Sequence, residues 1–220
     1  MTRTRIKICG LTREEEVRTA VEAGADALGF VFYPGSPRFV PAARAASLAS
    51  ALPAFVSAVG LFVNAKTADV AETSRQVRLS LLQFHGDETP GQCHEAAVAS
   101  NLPFIRVFRV RTDTTADDLL QCERIYRDAS PFFKGLLLDT FTDAYGGAGK
   151  VFNWSLVSKE IGPRVVLSGG LSAQNVAGAI AQLRPFAVDI SSGVEAARGI
   201  KDAGKIHAFI QAVRKADERI

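Results

Sequence analysis

The sequence predicts an α/β fold: a single-domain (β/α)8 barrel spanning residues 1–220. Short runs rich in β-branched and aromatic residues alternate with Ala-rich amphipathic segments along the whole chain. The runs at 136–138 and 165–167 are apolar without alternation, which is typical of strands buried on both faces of a parallel sheet. The alternation gives eight strand–helix units in 220 residues, a length that suits a compact barrel.

The strands are recognised by short apolar runs bounded by Gly, Pro or polar residues. They are expected at residues 5–9, 27–32, 55–63, 79–84, 104–110, 135–139, 164–167 and 187–190. The same runs determine where each strand ends, and those ends matter most for function. In parallel α/β proteins, catalytic and binding residues collect at the carboxyl ends of the strands.

The helices are recognised by helical spacing of apolar residues and by start and stop signals. They are expected at residues 12–24, 41–52, 67–75, 89–99, 116–127, 172–183 and 203–215, with a helical turn at 154–161. Thr12 and Glu15 have the spacing of a capping box, and Gly24 is suited to end that helix. Pro41 is suited to the first turn of the second helix.

A doubly wound open sheet is the alternative architecture. Such a sheet needs an edge, and none of the expected strands is polar or shortened in the way that edge strands usually are. The sequence also contains no linker and no low-complexity tract, which favours one domain.

Composition narrows the function classes. The net charge of +3 is too small to indicate binding to nucleic acid or a membrane, but it suits a small anionic substrate. Three scattered cysteines indicate reduced thiols in a cytoplasmic protein. We expect no signal segment, since the first apolar run is short, and no run reaches membrane-spanning length.

Two strand ends carry groups suited to proton transfer. Cys9 ends the first strand, where a thiolate is placed to act as a base, although free cysteines are commonly buried apolar residues. Asp139 ends the sixth strand, where a carboxyl group is suited to act as a general acid. Its alternative role is to cap the turn that follows. A thiol base and a carboxylic acid across one barrel mouth favour the catalytic interpretation.

Glycine-rich loops follow the last two strands. Gly169 and Gly170 follow strand seven, and Ser192 and Gly193 follow strand eight. Glycines allow backbone N–H groups to approach an anion, and these two loops are the usual phosphate site of such barrels. The alternative is a pair of ordinary turns. We predict a phosphate site.

Three further strand-end residues are assigned to substrate binding. Arg38 lies in a loop stiffened by two prolines, and its guanidinium suits a substrate carboxylate; the alternative is a surface arginine. His85 follows strand four, where it either contacts substrate or orients its loop through Asp87 or Glu88. Asp189 lies near the end of strand eight.

Other polar residues give weaker signals. His94 and His207 lie in expected helices, and no histidine spacing matches a metal site, so no metal is predicted. The segment 146–150, Gly-Gly-Ala-Gly-Lys, lacks the spacing of a phosphate-binding P-loop. A lid over the site is the better interpretation.

Taken together, these motifs resemble the phosphoribosylanthranilate isomerase family of tryptophan biosynthesis. The resemblance runs through nearly the whole chain. Its motifs lie at 7–12 (KICGLT), 36–38 (SPR), 82–86 (LQFHG), 137–139 (LLD), 146–150 (GGAGK), 169–171 (GGL) with 175–176 (NV), and 188–195 (VDISSGVE).

This resemblance implies a (β/α)8 TIM barrel that performs an Amadori rearrangement of N-(5-phosphoribosyl)anthranilate. It implies that Cys9 is the general base and Asp139 the general acid. It further implies that Arg38 holds the anthranilate carboxylate and that the two glycine loops hold the phosphate. No cofactor or metal is implied. The expected partner is the small phosphosugar substrate, with no nucleic acid or membrane, and the chain is expected to be a monomer or a homodimer.

The chain departs from the family pattern at Ala148 and Asn153 near the lid, and at Phe84 and Ser168. None of these changes removes a proton-transfer group. Two competing functions remain: another phosphosugar isomerase barrel, and a phosphate-binding barrel without activity. Cys9 at the end of strand one argues against the former, and the pairing of Cys9 with Asp139 argues against the latter.

Overall fold

Eight parallel strands close into a barrel in a computed structural model that describes residues 3–140, 152–158 and 160–218. Each strand pairs with the next along the chain, and β8 pairs with β1. The strands are β1 (Arg5–Cys9), β2 (Ala27–Val31), β3 (Ser57–Phe62), β4 (Leu81–Phe84), β5 (Phe104–Val110), β6 (Phe133–Thr140), β7 (Val166–Leu167) and β8 (Ala187–Ile190). The predicted (β/α)8 TIM barrel is confirmed, and a closed barrel excludes the open sheet.

The helices surround the barrel. They are α1 (Glu14–Ala23), α2 (Ala42–Ala49), α3 (Thr67–Val77), α4 (Pro90–Ser100), α5 (Ala116–Ala129), α6 (Val176–Leu183) and α7 (Ala203–Asp217). Between β6 and β7, the described residues form only 3-10 turns at Trp154–Leu156 and Gly162–Arg164. The helical turn predicted at 154–161 is present as the first of these turns, and no α-helix lies between β6 and β7 among the described residues.

Two local predictions also need correction. The N–H groups of Thr12 and Arg13 donate to the carboxylate of Glu16, at 2.8 and 3.2 Å, so Glu16 rather than Glu15 caps the start of α1. The helix after β7 begins at Val176 instead of residue 172, because the Asn175 side chain accepts the N–H of Ser172 and holds a turn there.

One element was not predicted. After β8, a short antiparallel hairpin forms from β9 (Glu195–Ala197) and β10 (Ile200–Lys201). The strands are two and three residues long, too short to show a hydrophobic period. The hairpin leads directly into α7.

The core has an outer layer and an inner one. The outer layer packs strand residues such as Phe30 and Phe62 against apolar helix residues such as Val70. Inside the barrel lies a smaller cluster of Cys9, Val31 and Leu61. Successive side chains of a strand point to opposite faces of the sheet. Residues next in sequence to those that face the helices therefore point into the barrel. No helix among the described residues is long and apolar enough to cross a membrane.

Candidate active site

A cleft of about 720 Å³, partly open to solvent, lies at the carboxyl ends of the barrel strands. Every residue that the sequence assigned to the site lines this cleft: Cys9, Arg38, His85, Asp139, Gly169, Gly170, Asp189, Ser192 and Gly193. Residues up to 184 positions apart in the chain (Cys9 and Gly193) therefore line the same cleft. Barrel closure brings them together.

The candidate base lies next to an ion pair. Cys9 is buried at the end of β1, and Lys7 lies two residues earlier on the same strand, facing the same way. The ammonium of Lys7 donates to Asp189 Oδ1 at 2.8 Å. Gly29 on β2 makes room for both groups, because a Cβ there would lie 2.7 Å from Cys9 Sγ and 3.1 Å from Lys7 Nζ.

Opposing effects act on the pKa of the Cys9 thiol. The positive charge of Lys7 acts to lower it. Burial is the larger effect, however, and with the negative charge of Asp189 it raises the pKa of Cys9 above its ordinary value. Although burial acts to lower the pKa of Lys7, the negative charges of Asp189 and Cys9 outweigh it and raise that pKa. The resting pair is therefore a thiol beside an ammonium ion.

Arg38 is buried instead of being a surface residue. Its Nε and Nη2 atoms donate to the two carboxylate oxygens of Glu195, at 2.6 and 3.0 Å. Arg38 also packs over Gly10, where a Cβ would lie 2.5 Å from Arg38 Cδ. Glu195 occupies one edge of the guanidinium, so the edge formed by Nη1 and Nη2 is left for a ligand.

Glu195 and Lys201, both in the unpredicted hairpin, contact the residues that line the cleft, and the sequence interpretation assigned neither of them to the site. Lys201 Nζ, which is fully buried, donates to Glu195 Oε1 at 2.9 Å and to Ser191 O at 3.1 Å. Burial acts to raise the pKa of Glu195, but Arg38 and Lys201 outweigh it and hold that pKa below its ordinary value. The available signal was two charged residues, five and eleven positions after the end of β8, and such a signal alone is unspecific.

On the opposite wall, Asp139 and His85 meet. His85 Nε2 lies 3.4 Å from Asp139 Oδ2, and both side chains are mostly buried. Asp139 Oδ1 accepts the N–H of Thr140 at 2.9 Å, so one oxygen does hold the following backbone. The other oxygen remains on the cleft side, next to His85. The capping and catalytic interpretations of Asp139 are thus compatible.

The loop that carries His85 is fixed by other residues. Glu88 accepts the N–H groups of Asn64 and Gly86, at 2.7 and 2.9 Å. Arg106 donates to the carbonyl oxygens of Phe84 and Gly86, each at 2.9 Å. The loop is therefore held by Glu88 and Arg106, which leaves the His85 ring to contact Asp139.

The two glycine loops touch each other. A Cβ on Gly193 would lie 2.2 Å from Leu171 O, so only glycine allows this approach. Gly169 and Gly170 have positive φ angles, of 81° and 66°. The N–H groups of the four predicted phosphate residues, Gly169, Gly170, Ser192 and Gly193, donate no hydrogen bond to any described residue. Unbonded N–H groups in two adjacent loops form a cradle suited to an anion.

Gly169 also touches the acid. A Cβ there would lie 2.5 Å from Thr140 N and 3.0 Å from Asp139 Oδ1. The predicted lid at 146–150, with Ala148, lies outside the described residues. Asn153 Oδ1 accepts the N–H of Ser155 at 3.1 Å and so caps a 3-10 turn. Among the described residues, no group of three or more potential ligands is arranged to hold a metal.

This arrangement defines a class of protein: a (β/α)8 barrel with a thiol, a carboxylate and two glycine loops around one cleft at its mouth. The family model for N-(5'-phosphoribosyl)anthranilate (PRA) isomerase matches residues 6–212. The chain belongs to this family.

The chain is similar to known isomerases over almost its full length. An N-(5'-phosphoribosyl)anthranilate isomerase from Herminiimonas arsenicoxydans is 61% identical and is matched over 98% of this chain and 95% of that protein. The crystal structure of the phosphoribosyl anthranilate isomerase from Thermotoga maritima is 41% identical, with a TM-score of 0.84 over 96% of this chain and 99% of that one. A structure of such an isomerase in complex with reduced 1-(o-carboxyphenylamino)-1-deoxyribulose 5-phosphate is 38% identical, with a TM-score of 0.80 and the same coverage.

Proposed function

We propose that Cys9 and Asp139 are the general base and general acid of this isomerase. The chain catalyses the Amadori rearrangement of N-(5-phospho-β-D-ribosyl)anthranilate to 1-(2-carboxyphenylamino)-1-deoxy-D-ribulose 5-phosphate, a step of tryptophan biosynthesis. The observation that carries the residue roles is that Cys9, Asp139, Arg38 and the glycine cradle all line one cleft.

Asp139 and Cys9 carry out the first two proton transfers of the reaction. Asp139 gives a proton to the furanose ring oxygen, the bond from that oxygen to C1 breaks, and the nitrogen lone pair forms the C1=N bond of a Schiff base. Cys9, which rests as a thiol and acts in its thiolate form, then removes the proton from C2. The electron pair of that C–H bond forms C1=C2 while nitrogen regains its lone pair. The resulting enolamine tautomerises as C1 gains a proton and the C2 hydroxyl loses one, which gives the ketone.

Binding groups surround the acid and base. The free edge of the Arg38 guanidinium holds the anthranilate carboxylate. The N–H groups of the loops at 169–170 and 192–193 hold the phosphate. Asp189 acts by holding Lys7 beside Cys9, and His85 contacts Asp139, which places both next to bound substrate.

Loss of anthranilate-type fluorescence from freshly made phosphoribosylanthranilate tests this proposal. Rapid loss that depends on the wild-type enzyme and is abolished in Cys9→Ala supports both the reaction and the base. Arg38→Ala is expected to raise KM more than it lowers kcat, since its contact is to a non-reacting group. Loss at the spontaneous rate with wild-type protein would contradict the function, and a normal KM in Arg38→Ala would contradict the carboxylate site.

The remaining properties are also proposals. The whole chain, residues 1–220, acts as one catalytic domain in the cytoplasm, without nucleic acid. A relative from Thermotoga maritima, 37% identical, is described as a dimeric isomerase from which monomers were generated. This supports a monomer or a homodimer here, and sedimentation equilibrium over a range of concentrations distinguishes the two.

A further inference from the structure

Gln83 lies on β4 and lines the cleft, with only 1% of its surface exposed. Its Oε1 atom is buried and has no hydrogen-bond partner, and its amide nitrogen donates to no residue in the described part of the chain. Buried polar groups in folded proteins are nearly always hydrogen-bonded, because an unmatched group loses its bonds to water without replacement. The amide of Gln83 therefore requires an explanation.

Packing does not provide that explanation. The residues level with Gln83 on the neighbouring strands are Leu61 on β3 and Ile105 on β5, both buried and apolar. A methionine or leucine at position 83 would match these neighbours and leave no unpaired polar atom. The polar side chain of Gln83 is thus unfavourable in the protein without ligand. Its position on the cleft wall indicates that a ligand provides the hydrogen bonds that the protein does not.

We propose that the Gln83 amide binds a hydroxyl group of the sugar chain. The inference rests on the proposed function, which puts the phosphate at the loops after β7 and β8 and the reacting C2 atom at Cys9. In the closed strand order, β4 lies across the barrel from β8, and Gln83 lines the same cleft as Cys9 and the glycine loops, so it faces the space in which the sugar chain is proposed to lie. A hydroxyl both donates and accepts, as a primary amide does, so it satisfies the orphaned oxygen of Gln83.

A second orphaned oxygen supplies the control. Ser74, in α3, is buried, and its hydroxyl has no hydrogen-bond partner among the described residues. It does not line the cleft. Ser74→Ala therefore removes an unmatched buried oxygen from the same protein without touching a ligand.

The test compares Gln83→Met with wild type by calorimetric titration of reduced 1-(o-carboxyphenylamino)-1-deoxyribulose 5-phosphate. Gln83→Met is expected to bind the compound about tenfold more weakly, since it loses hydrogen bonds made only in the complex. The Tm of the free variant is expected to equal or exceed that of wild type, because no bond is lost in the empty protein. Ser74→Ala is expected to share the unchanged or higher Tm while binding as wild type does. Gln83→Leu serves as a second variant in case Gln83→Met does not fold.

The possible outcomes distinguish failure of the role of Gln83 from failure of the proposed function. If wild type binds the compound and both Gln83 variants bind it within twofold of wild type, the role of Gln83 is overturned while the proposed function stands. Weaker binding together with a lowered Tm would assign Gln83 to the fold instead of the ligand and would also overturn it. If wild type itself does not bind the compound, the proposed function fails and this inference fails with it.

Discussion

The two walls of the cleft differ in how completely their polar groups are paired. We call the first the base wall; it consists of three residues that line the cleft, Cys9, Arg38 and Asp189, and of the buried charged residues paired behind them, Lys7, Glu195 and Lys201. We call the second the acid wall; it consists of Gln83, His85 and Asp139. On the base wall, Lys7 pairs with Asp189 at 2.8 Å, and Glu195 bridges Arg38 and Lys201. On the acid wall, the closest polar contact between side chains is 3.4 Å, and the Gln83 amide has no partner among the described residues.

This difference indicates which part of the site is complete before substrate arrives. Buried charges must be paired or their desolvation becomes very unfavourable, so the base wall is organised in the empty protein. The acid wall is partly exposed at His85 and Asp139, and its Gln83 amide has no partner among the described residues. We therefore expect substrate to complete the acid wall and to bind against a preformed base wall.

Removal of either proton-transfer group is the largest expected effect. Cys9→Ala and Asp139→Asn are each expected to lower kcat by about 10²- to 10⁴-fold, the usual contribution of a general base or acid. Binding of the reduced product analogue is expected to change only severalfold in both variants, since neither group holds the phosphate or the carboxylate. Steady-state and binding measurements on each variant check this, and turnover near the wild-type rate in either one would remove that residue from the mechanism.

Glu195→Gln is expected to have the next largest effect, because it removes the one negative charge between two buried cations. Breaking a buried ion pair usually lowers the free energy of unfolding by about 3–5 kcal/mol, and here Arg38 and Lys201 are both left uncompensated. KM is also expected to rise, since Glu195 orients Arg38. Chemical denaturation and initial-rate kinetics measure the two effects.

The matched control for Glu195→Gln is Glu15→Gln. Glu15 forms an exposed pair with Arg13 at 3.5 Å, and such surface pairs contribute less than about 1 kcal/mol. If both variants unfold at the same denaturant concentration, the base wall is not held by its charges and the comparison of the two walls breaks down.

The sequence could predict the strand-end residues but not their partners. The sequence indicated Cys9, Asp139 and the glycine loops because each lies at the carboxyl end of a strand. In a closed barrel, all of these strand ends meet around the cleft. The pairing of Arg38 with Glu195 joins residues 157 positions apart through a hairpin with no periodic pattern. Such contacts depend on tertiary geometry, and neither residue type nor spacing indicates them.

The same limit applies to the polar groups inside strands. Gln83 appeared as an ordinary residue of an apolar strand, since one polar side chain does not change the period of a run. Only the structure reveals that its neighbours leave its oxygen without a partner. Likewise, Glu15 and Glu16 are equivalent by composition, and the cap belongs to Glu16 because the chain enters α1 at Glu14.

The charges around Cys9 give a third prediction, in which the two substitutions have opposite signs. Lys7→Met is expected to raise the pKa of Cys9 further, and Asp189→Asn to lower it, because the positive charge favours the thiolate and the negative charge opposes it. Below the pKa the thiolate fraction rises with pH. At a fixed pH of about 8, alkylation of Cys9 is therefore expected to slow severalfold in Lys7→Met and to accelerate severalfold in Asp189→Asn.

The two other thiols provide internal references for that measurement. Burial raises the pKa of Cys93 to about 12 and that of Cys122 to about 11, so both react slowly at this pH. Mass spectrometry of the separate peptides assigns the rates, and Lys7→Arg preserves the positive charge. Equal alkylation rates at Cys9 in all variants would contradict the electrostatic role of the Lys7–Asp189 pair.

The smallest expected effect lies at His85. At 3.4 Å its contact with Asp139 Oδ2 is long, and both side chains reach solvent, so the interaction is weak in the empty protein. His85→Asn is expected to lower kcat by about two- to fivefold, far less than Asp139→Asn, as fits an acid wall completed mainly by substrate. His94→Asn is the control, since His94 Nδ1 lies 3.0 Å from Ser130 Oγ and outside the cleft. A loss of kcat in His85→Asn as large as that in Asp139→Asn would mean that His85 itself transfers a proton. The acid wall would then be organised before substrate binds as fully as the base wall is.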